Sequence, residues 1–289
     1  QGSYDERVTA PAAIPSPSDS VLHLGPLPLH LYGLILAIAV IVAARVAERR
    51  WVRRGHAAKD FSDLVVWIVV GGVVGARLYH VVSDYQLFRG QWLDAFKIWQ
   101  GGLSIWGAVL GGAVVVVVLA RRRHLDLGDL VDSIAPALVL AQAIGRWGNW
   151  ANQELYGRPS GLPWAVEIDV AHRPAAYANV STFQPTFLYE SLWCLAVFAV
   201  LIALERRVRL MKGQLLALYL MLYTAGRFVF ENMRVDPAHR IGPLRLNAWV
   251  CLVTFVAASV WFLWLRRHGT PAVPVATEDA GPETEPAGP

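Results

Sequence analysis

Long apolar runs, broken at intervals by clusters of arginine, dominate the chain. Residues 35–44 hold no polar side chain, and residues 113–120 are purely aliphatic. An amphipathic helix on a soluble core turns a polar face to water every turn; these runs have no such face. Crossing a bilayer takes about 20 mostly apolar helical residues. Seven candidate spans follow, at 29–48, 64–82, 98–119, 129–150, 186–204, 213–231 and 247–265. The expected fold class is an all-α polytopic membrane protein with about seven transmembrane helices. Gly71 and Gly75 in the second span, and Gly107 and Gly111 in the third, have the small-residue spacing that lets helices approach closely. Tyr32, Trp99, Trp150, Trp164, Tyr189 and Trp264 lie near span ends, as interfacial aromatic residues do.

The segments between spans alternate in basic charge. Fourteen Arg and Lys follow spans one, three, five and seven, and eight lie on the opposite side. The positive-inside rule places the N-terminus outside and the C-terminus in the cytoplasm. Residues 21–268 then form the membrane domain. The segment 151–185 is the one long external connection and is apolar enough to fold as a small extracytoplasmic cap between spans four and five. Its residues 166–170 alternate like a short strand. Residues 1–20 are rich in Pro, Ala and Ser and are expected to be disordered, with Gln1, Gly2 and Ser3 reading as a processing scar. A Pro, Ala and Glu tail at 269–289 is expected to be a disordered cytoplasmic tail.

Composition agrees with the pattern. The chain of 289 residues is 55% hydrophobic and 17% charged. That excludes an ordinary soluble enzyme, where charged residues make up about 25%, and excludes a disordered protein. Both cysteines, Cys194 and Cys251, lie inside apolar runs, which argues against disulfides and cysteine metal sites. No metal-binding spacing or nucleotide loop occurs, so neither metal nor cofactor is expected.

The net charge of +4 is mild, but the placement of the arginines is informative. Arg45, Arg77, Arg146 and Arg227 fall inside the spans. Arg45 lies near a cytoplasmic end and is expected to snorkel. Given the orientation above, Arg77 and His80 lie near the outer end of span two, Arg146 and Asn149 near that of span four, and Tyr223, Arg227 and Glu231 near that of span six. Tyr32, Gln100, Gly101, Gly102, Tyr189 and Glu190 open the remaining spans from the same side. An arginine at a span's centre costs about 2.5–3.5 kcal/mol. Three at one depth suggest a shared anionic partner, since arginine keeps its charge and grips phosphate with two parallel hydrogen bonds. A phospholipid headgroup in the outer leaflet has that chemistry. The plainer alternative is that each arginine pairs with a carboxylate, Arg227 with Glu231 one turn on, for example.

At 145–159 the sequence reads GRWGNWANQELYGRP. This stretch resembles the signature of the bacterial prolipoprotein diacylglyceryl transferases, through Gly145, Arg146, Gly148, Asn149, Asn152, Glu154, Gly157 and Pro159. Further matches follow in order: Tyr32 and Gly33; Arg77; Trp99, Gln100, Gly101 and Gly102; Gln184 and Pro185 with Tyr189 and Glu190; then Tyr223, Arg227, Glu231 and Arg234. The resemblance covers about residues 14–265. It implies a multi-pass enzyme of the bacterial inner membrane. That enzyme moves the diacylglyceryl group of phosphatidylglycerol to the lipobox cysteine of a preprolipoprotein signal peptide, forming a thioether and releasing glycerol phosphate. It also implies key roles for Arg146, Arg227, Glu231 and Tyr223 in catalysis. Arg77, Tyr32, Asn149, Glu154, Gly157, Gln100, Gly101 and Gly102 would bind the lipid, with His80, Glu190 and Arg234 as auxiliaries. The expected partners are these two substrates and membrane lipid, without nucleic acid, and the expected state is a monomer. One departure stands out. Where well-known members carry a histidine proposed as a base, this chain has Trp106, and a second histidine is replaced by Gln184, as in an actinobacterial-like branch.

The implied reaction needs a leaving phosphate that gains charge cheaply and a thiol that becomes thiolate. Arginines beside both would meet these needs, because nearby positive charge lowers a thiol pKa from about 8.5. Phosphate oxygens, Glu231, Glu154 and His80 are the candidate proton acceptors. A transporter or lipid-binding protein for an anionic, phosphate-bearing ligand is the alternative. It predicts polar residues continuing to the cytoplasmic side or an internal repeat, and neither is visible.

Overall fold

The computed structural model describes residues 13–24, 27–97 and 101–272. Seven long helices dominate: α1 Leu31–Arg53, α2 Ala58–Ser83, α3 Ile105–Arg122, α4 Leu127–Ala151, α5 Thr186–Arg207, α6 Gln214–Met233 and α7 Leu246–His268. All but α6 are long and apolar enough to cross a membrane. Helix α6 carries Arg227, Glu231 and Asn232 in its last two turns, and it packs between α5 and α7. The protein is thus an all-α polytopic membrane protein. Many large apolar side chains on the helices are exposed, among them Val66, Val74, Leu110, Val256 and Leu263. Lipid is the solvent that suits them.

Charge at the helix ends follows the backbone dipole. Asp60 and Asp129 lie in the first turns of α2 and α4. Arg121 and Arg122 end α3, and Arg206 and Arg207 end α5. Asp126 caps α4, its carboxylate accepting the Asp129 amide at 3.0 Å.

The described chain divides into two compact units, one made of Glu48–Ser133 and one holding the rest. In the first, α2 packs on α3 through glycine faces. A methyl group added at Gly75 would run into the Gly107 carbonyl oxygen, and one at Gly111 into that of Gly71. The close approach expected from the glycine spacing is therefore present. Between these helices the chain makes two short 3₁₀ turns, Tyr85–Phe88 and Trp92–Phe96. Residues 101–104 are non-helical and α3 starts at Ile105, later than the 98–119 span foresees. Gly101 and Gly102 have φ of +89° and +73°, a backbone that cannot continue a helix.

In the other unit, the core of Ala135, Val139, Cys194, Leu201, Leu215 and Tyr219 joins α4, α5 and α6. Both cysteines are buried. The cap packs Tyr156, Val166, Ile168 and Phe183 against Phe187 of α5 in a small core. Its strand β3 (Val166–Glu167) pairs antiparallel with β4 (Thr182–Phe183), in the region where the alternation foresees a strand. Burial raises the Tyr156 phenol pKa, with Arg173 opposing and Asp236 adding to the rise. Tyr156 thus stays a neutral donor to the His172 carbonyl.

Of the lead at 1–20, residues 1–12 lie outside the described residues, and 13–20 run alongside the cap. Ile14 bridges Val166, with its amide on the Ala165 carbonyl at 2.7 Å and its carbonyl on the Glu167 amide at 2.9 Å. A hairpin then follows, β1 (Val21–Leu24) with β2 (Leu27–His30). Backbone pairing to the cap edge orders a composition that has no core of its own. At the other end, Thr270 and Ala272 bond to the backbone of Lys212 and Leu210, so the tail is ordered at its start; residues 273–289 lie outside the described residues.

Candidate functional site

The site starts at the outer end of α4. Arg146 and Asn149 are one turn apart, and Arg146 Nη1 donates to Asn149 Oδ1 at 3.3 Å. Between them, Gly148 lets the Tyr32 ring of α1 lie against the backbone. A Cβ there would come within 2.6 Å of the ring. After α4 the chain turns sharply, with Gln153 and Leu155 at φ of +51° and +60°. These two residues flank Glu154, whose carboxylate accepts from Asn149 at 2.9 Å and Asn152 at 3.5 Å. The Gln153 amide group holds the turn. It donates to Asp169 at 2.6 Å and to the Pro17 carbonyl at 2.9 Å, and accepts the Asp169 amide at 2.7 Å. Three residues on, Gly157 bridges Arg234, and a Cβ there would press Gln184 at 2.9 Å. Gly157 therefore seats the signature loop against the start of α5.

Glu190 on α5 is the centre of the site. Its carboxylate is 4% exposed and lies 3.0 Å from Arg146 Nε and 3.0 Å from Arg227 Nη1. One carboxylate thus holds two guanidinium groups from α4 and α6. Tyr223, one turn before Arg227, has its hydroxyl 3.4 Å from Arg146 Nη2. Arg227 Nη2 reaches Glu231 at 2.6 Å. Glu231 is fully buried and also meets Arg234 at 3.3 Å and Arg245 at 3.3 Å. Asp236 closes the network, gripping Arg234 at 2.7 and 2.8 Å and Arg245 at 2.9 Å.

Among the described residues this ion-paired set holds four arginines and three carboxylates, one positive charge in excess. Buried charge is stable only when neutralised, so the set suits one more anion. Arg146 and Arg227, with side chains 16% and 15% exposed, are more open than Glu231 or Arg245. An apolar cleft of about 210 Å³ is lined by Ile35, Ile38, Ile144, Trp147, Ser191 and Leu195, residues of α1, α4 and α5 that include the chain neighbours of Arg146 and Glu190.

Tyr32, Arg146, Asn149, Glu154, Gly157, Glu190, Tyr223, Arg227, Glu231 and Arg234 all belong to this unit. The pairing of Arg227 with Glu231, the plainer alternative, is present alongside the link to Glu190. Arg77, His80, Gly101 and Gly102 belong to the other unit and form a second constellation. Arg77 donates to the carbonyls of Ala95 at 2.7 Å, Asp94 at 2.6 Å and Gly101 at 2.7 Å, and lies over the Phe88 ring. His80 bonds Asp84 at 3.0 Å. Gly102 packs against both, and any side chain there would collide with the His80 ring. Arg77 thus organises the loop before α3. Gln100 lies outside the described residues. Arg245 and Asn247 escaped the sequence reading, which counted Arg245 only as an external loop charge. The alternation of basic residues gives no signal that a loop arginine turns inward.

Comparison with known proteins bears on this geometry. A sequence model of the prolipoprotein diacylglyceryl transferases matches residues 19–264. Phosphatidylglycerol–prolipoprotein diacylglyceryl transferase 1 of Streptomyces coelicolor is 50% identical over 260 residues, covering 89% of this chain and 75% of its own. The transferase of that name from Cutibacterium acnes is 46% identical over 259 residues, covering 89% and 88%. That of Streptomyces griseus is 50% identical over 255 residues, covering 87% and 77%.

Proposed function

The chain belongs to the prolipoprotein diacylglyceryl transferase family, and from that membership we propose how its residues carry the family's reaction. It is a transferase of lipoprotein maturation, moving the diacylglyceryl group of phosphatidylglycerol to the lipobox cysteine of a preprolipoprotein. The observation that carries the site assignment is the sharing of Glu190 by Arg146 and Arg227 in a network with one positive charge in excess.

The cysteine sulfur attacks the glycerol carbon that bears the phosphate ester. A carbon–sulfur bond forms, the carbon–oxygen bond breaks, the thiol proton passes to a base, and glycerol phosphate leaves. The lipid arrives with one negative charge, which the surplus positive charge of the network receives. As the ester bond breaks, a second charge grows on the leaving oxygen. Arg146 and Arg227 meet it with donors already fixed by Glu190, Asn149 and Glu231, so little reorganisation is needed. Tyr223 places a hydroxyl beside Arg146 at the same point. Glu231, enclosed by Arg227, Arg234 and Arg245, orients Arg227. Glu154 is exposed and is the side chain of this unit best placed to accept the thiol proton, alongside the phosphate oxygens. Tyr32, Asn149 and Gly157 shape the headgroup pocket, and the apolar cleft beside Arg146 takes an acyl chain.

The enzyme spans the membrane several times. We place it in the bacterial cytoplasmic membrane as a monomer, with the 151–185 cap on the outer side orienting the signal peptide. Purified protein incubated with phosphatidylglycerol and a lipobox peptide tests the reading. A peptide mass gain of one diacylglyceryl group with stoichiometric glycerol phosphate is expected. Lipid binding without either product would reject the reaction.

A further inference from the structure

Behind Arg146 and Arg227, the clamp for the lipid phosphate, every donor-bearing nitrogen of one arginine is engaged. Arg245 ends the short strand Leu244–Arg245, is the residue before α7, and is 4% exposed. Its Nη1 donates to the carbonyls of Glu231 at 2.9 Å and Arg234 at 3.4 Å, at the end of α6. Helix ends leave such carbonyls open, and a cation there also suits the dipole. Its Nη2 donates to the Asp236 carbonyl at 2.6 Å and carboxylate at 2.9 Å. Its Nε lies 3.3 Å from Glu231 Oε1, which Asn247 also approaches at 3.4 Å. The other oxygen, Oε2, faces Arg227 at 2.6 Å. Glu231 is therefore held from both sides, by Arg245 behind and by Arg227 in front.

We propose that Arg245 is a positioning residue for the transfer reaction, holding Glu231, and through it Arg227, in the geometry that receives the lipid phosphate. It touches neither substrate. Asp236 fixes the far side of its guanidinium. The inference rests on the assignment of Arg146 and Arg227 to the phosphate.

The test is steady-state kinetics of the purified protein with phosphatidylglycerol and a lipobox peptide, varying each substrate in turn. Arg245→Gln is expected to raise the KM for phosphatidylglycerol about tenfold or more, as the loss of a charge-assisted contact would. The peptide KM should stay unchanged. Arg245→Lys, which restores the charge but not the fork, should recover part of the lipid KM. Combined with Glu231→Gln, the effect of Arg245→Gln should vanish, because the second residue acts through the first. Unchanged lipid KM, equal rises in both KM values, or effects that multiply with Glu231→Gln would each overturn the inference. Should Arg245→Gln fail to fold, Asp236→Asn serves instead: it loosens the same guanidinium and should raise the lipid KM alone, and an unchanged value would overturn the inference. Arg227→Ala is the control, and an unaltered lipid KM there would reject the phosphate assignment itself and the inference with it.

Discussion

At the scale of single residues, the site depends on guanidinium groups whose orientation is set by shared carboxylates. Arg227→Lys keeps the charge but loses the fork that grips Glu190 and Glu231 together. We expect kcat/KM to fall on the order of 10²-fold, the usual cost of losing one preorganised donor. The mass assay of the lipobox peptide reads this, and near-normal turnover would remove Arg227 from the clamp. Glu190→Gln should act differently. It leaves two nearly buried arginines without their common anion, and breaking a buried pair costs about 3–5 kcal/mol. The melting temperature should drop, and phosphatidylglycerol should restore it more than phosphatidylcholine does, because only the former is a net anion, the choline cation of the latter offsetting its phosphate. Equal effects of the two lipids would contradict the charge argument. His80 is bonded to Asp84 and packed beside Phe88, so His80→Ala should leave the transfer rate unchanged; a large loss would return it to the list of bases.

At the scale of elements, most boundaries were legible because lipid demands long apolar runs and helices satisfy their own backbone. All seven helices overlap the expected spans. The third was misjudged at its start, since Trp99 and the two glycines look apolar while the positive φ angles at Gly101 and Gly102 forbid a helix. Spacing alone also identified the α2–α3 contact, where Gly75 and Gly107 meet backbone to backbone. Gly107→Leu should destabilise that pair by about 1–3 kcal/mol or more, as overpacking does, with a lower melting temperature in detergent as the readout. An unchanged melting temperature would mean the helices separate without cost. The cap and the short hairpins were only partly legible, because two-residue strands leave almost no periodic trace.

For the whole molecule, the basic residues between spans carry the orientation, and this is open to direct test. With Cys194 and Cys251 replaced by Ala, a single cysteine at Ala171 in the cap should react with an impermeant maleimide on intact spheroplasts. One at Arg209, in the turn between α5 and α6, should react only after lysis. The opposite pattern would invert the assigned topology. The sequence by itself determined that the chain lives in lipid and where its long apolar helices lie, because these follow from transfer energies that act residue by residue. It also carried the family, through a signature in which Arg146, Asn149, Glu154 and Gly157 stand close together. Only the tertiary structure decided which charges meet. Glu190 joining Arg146 to Arg227, Arg245 turning inward from a loop to brace Glu231, and Arg77 serving the loop before α3 all depend on contacts between residues distant in the chain. Ion pairing depends on distances of a few ångströms and on burial, and neither quantity is encoded in local hydrophobic pattern.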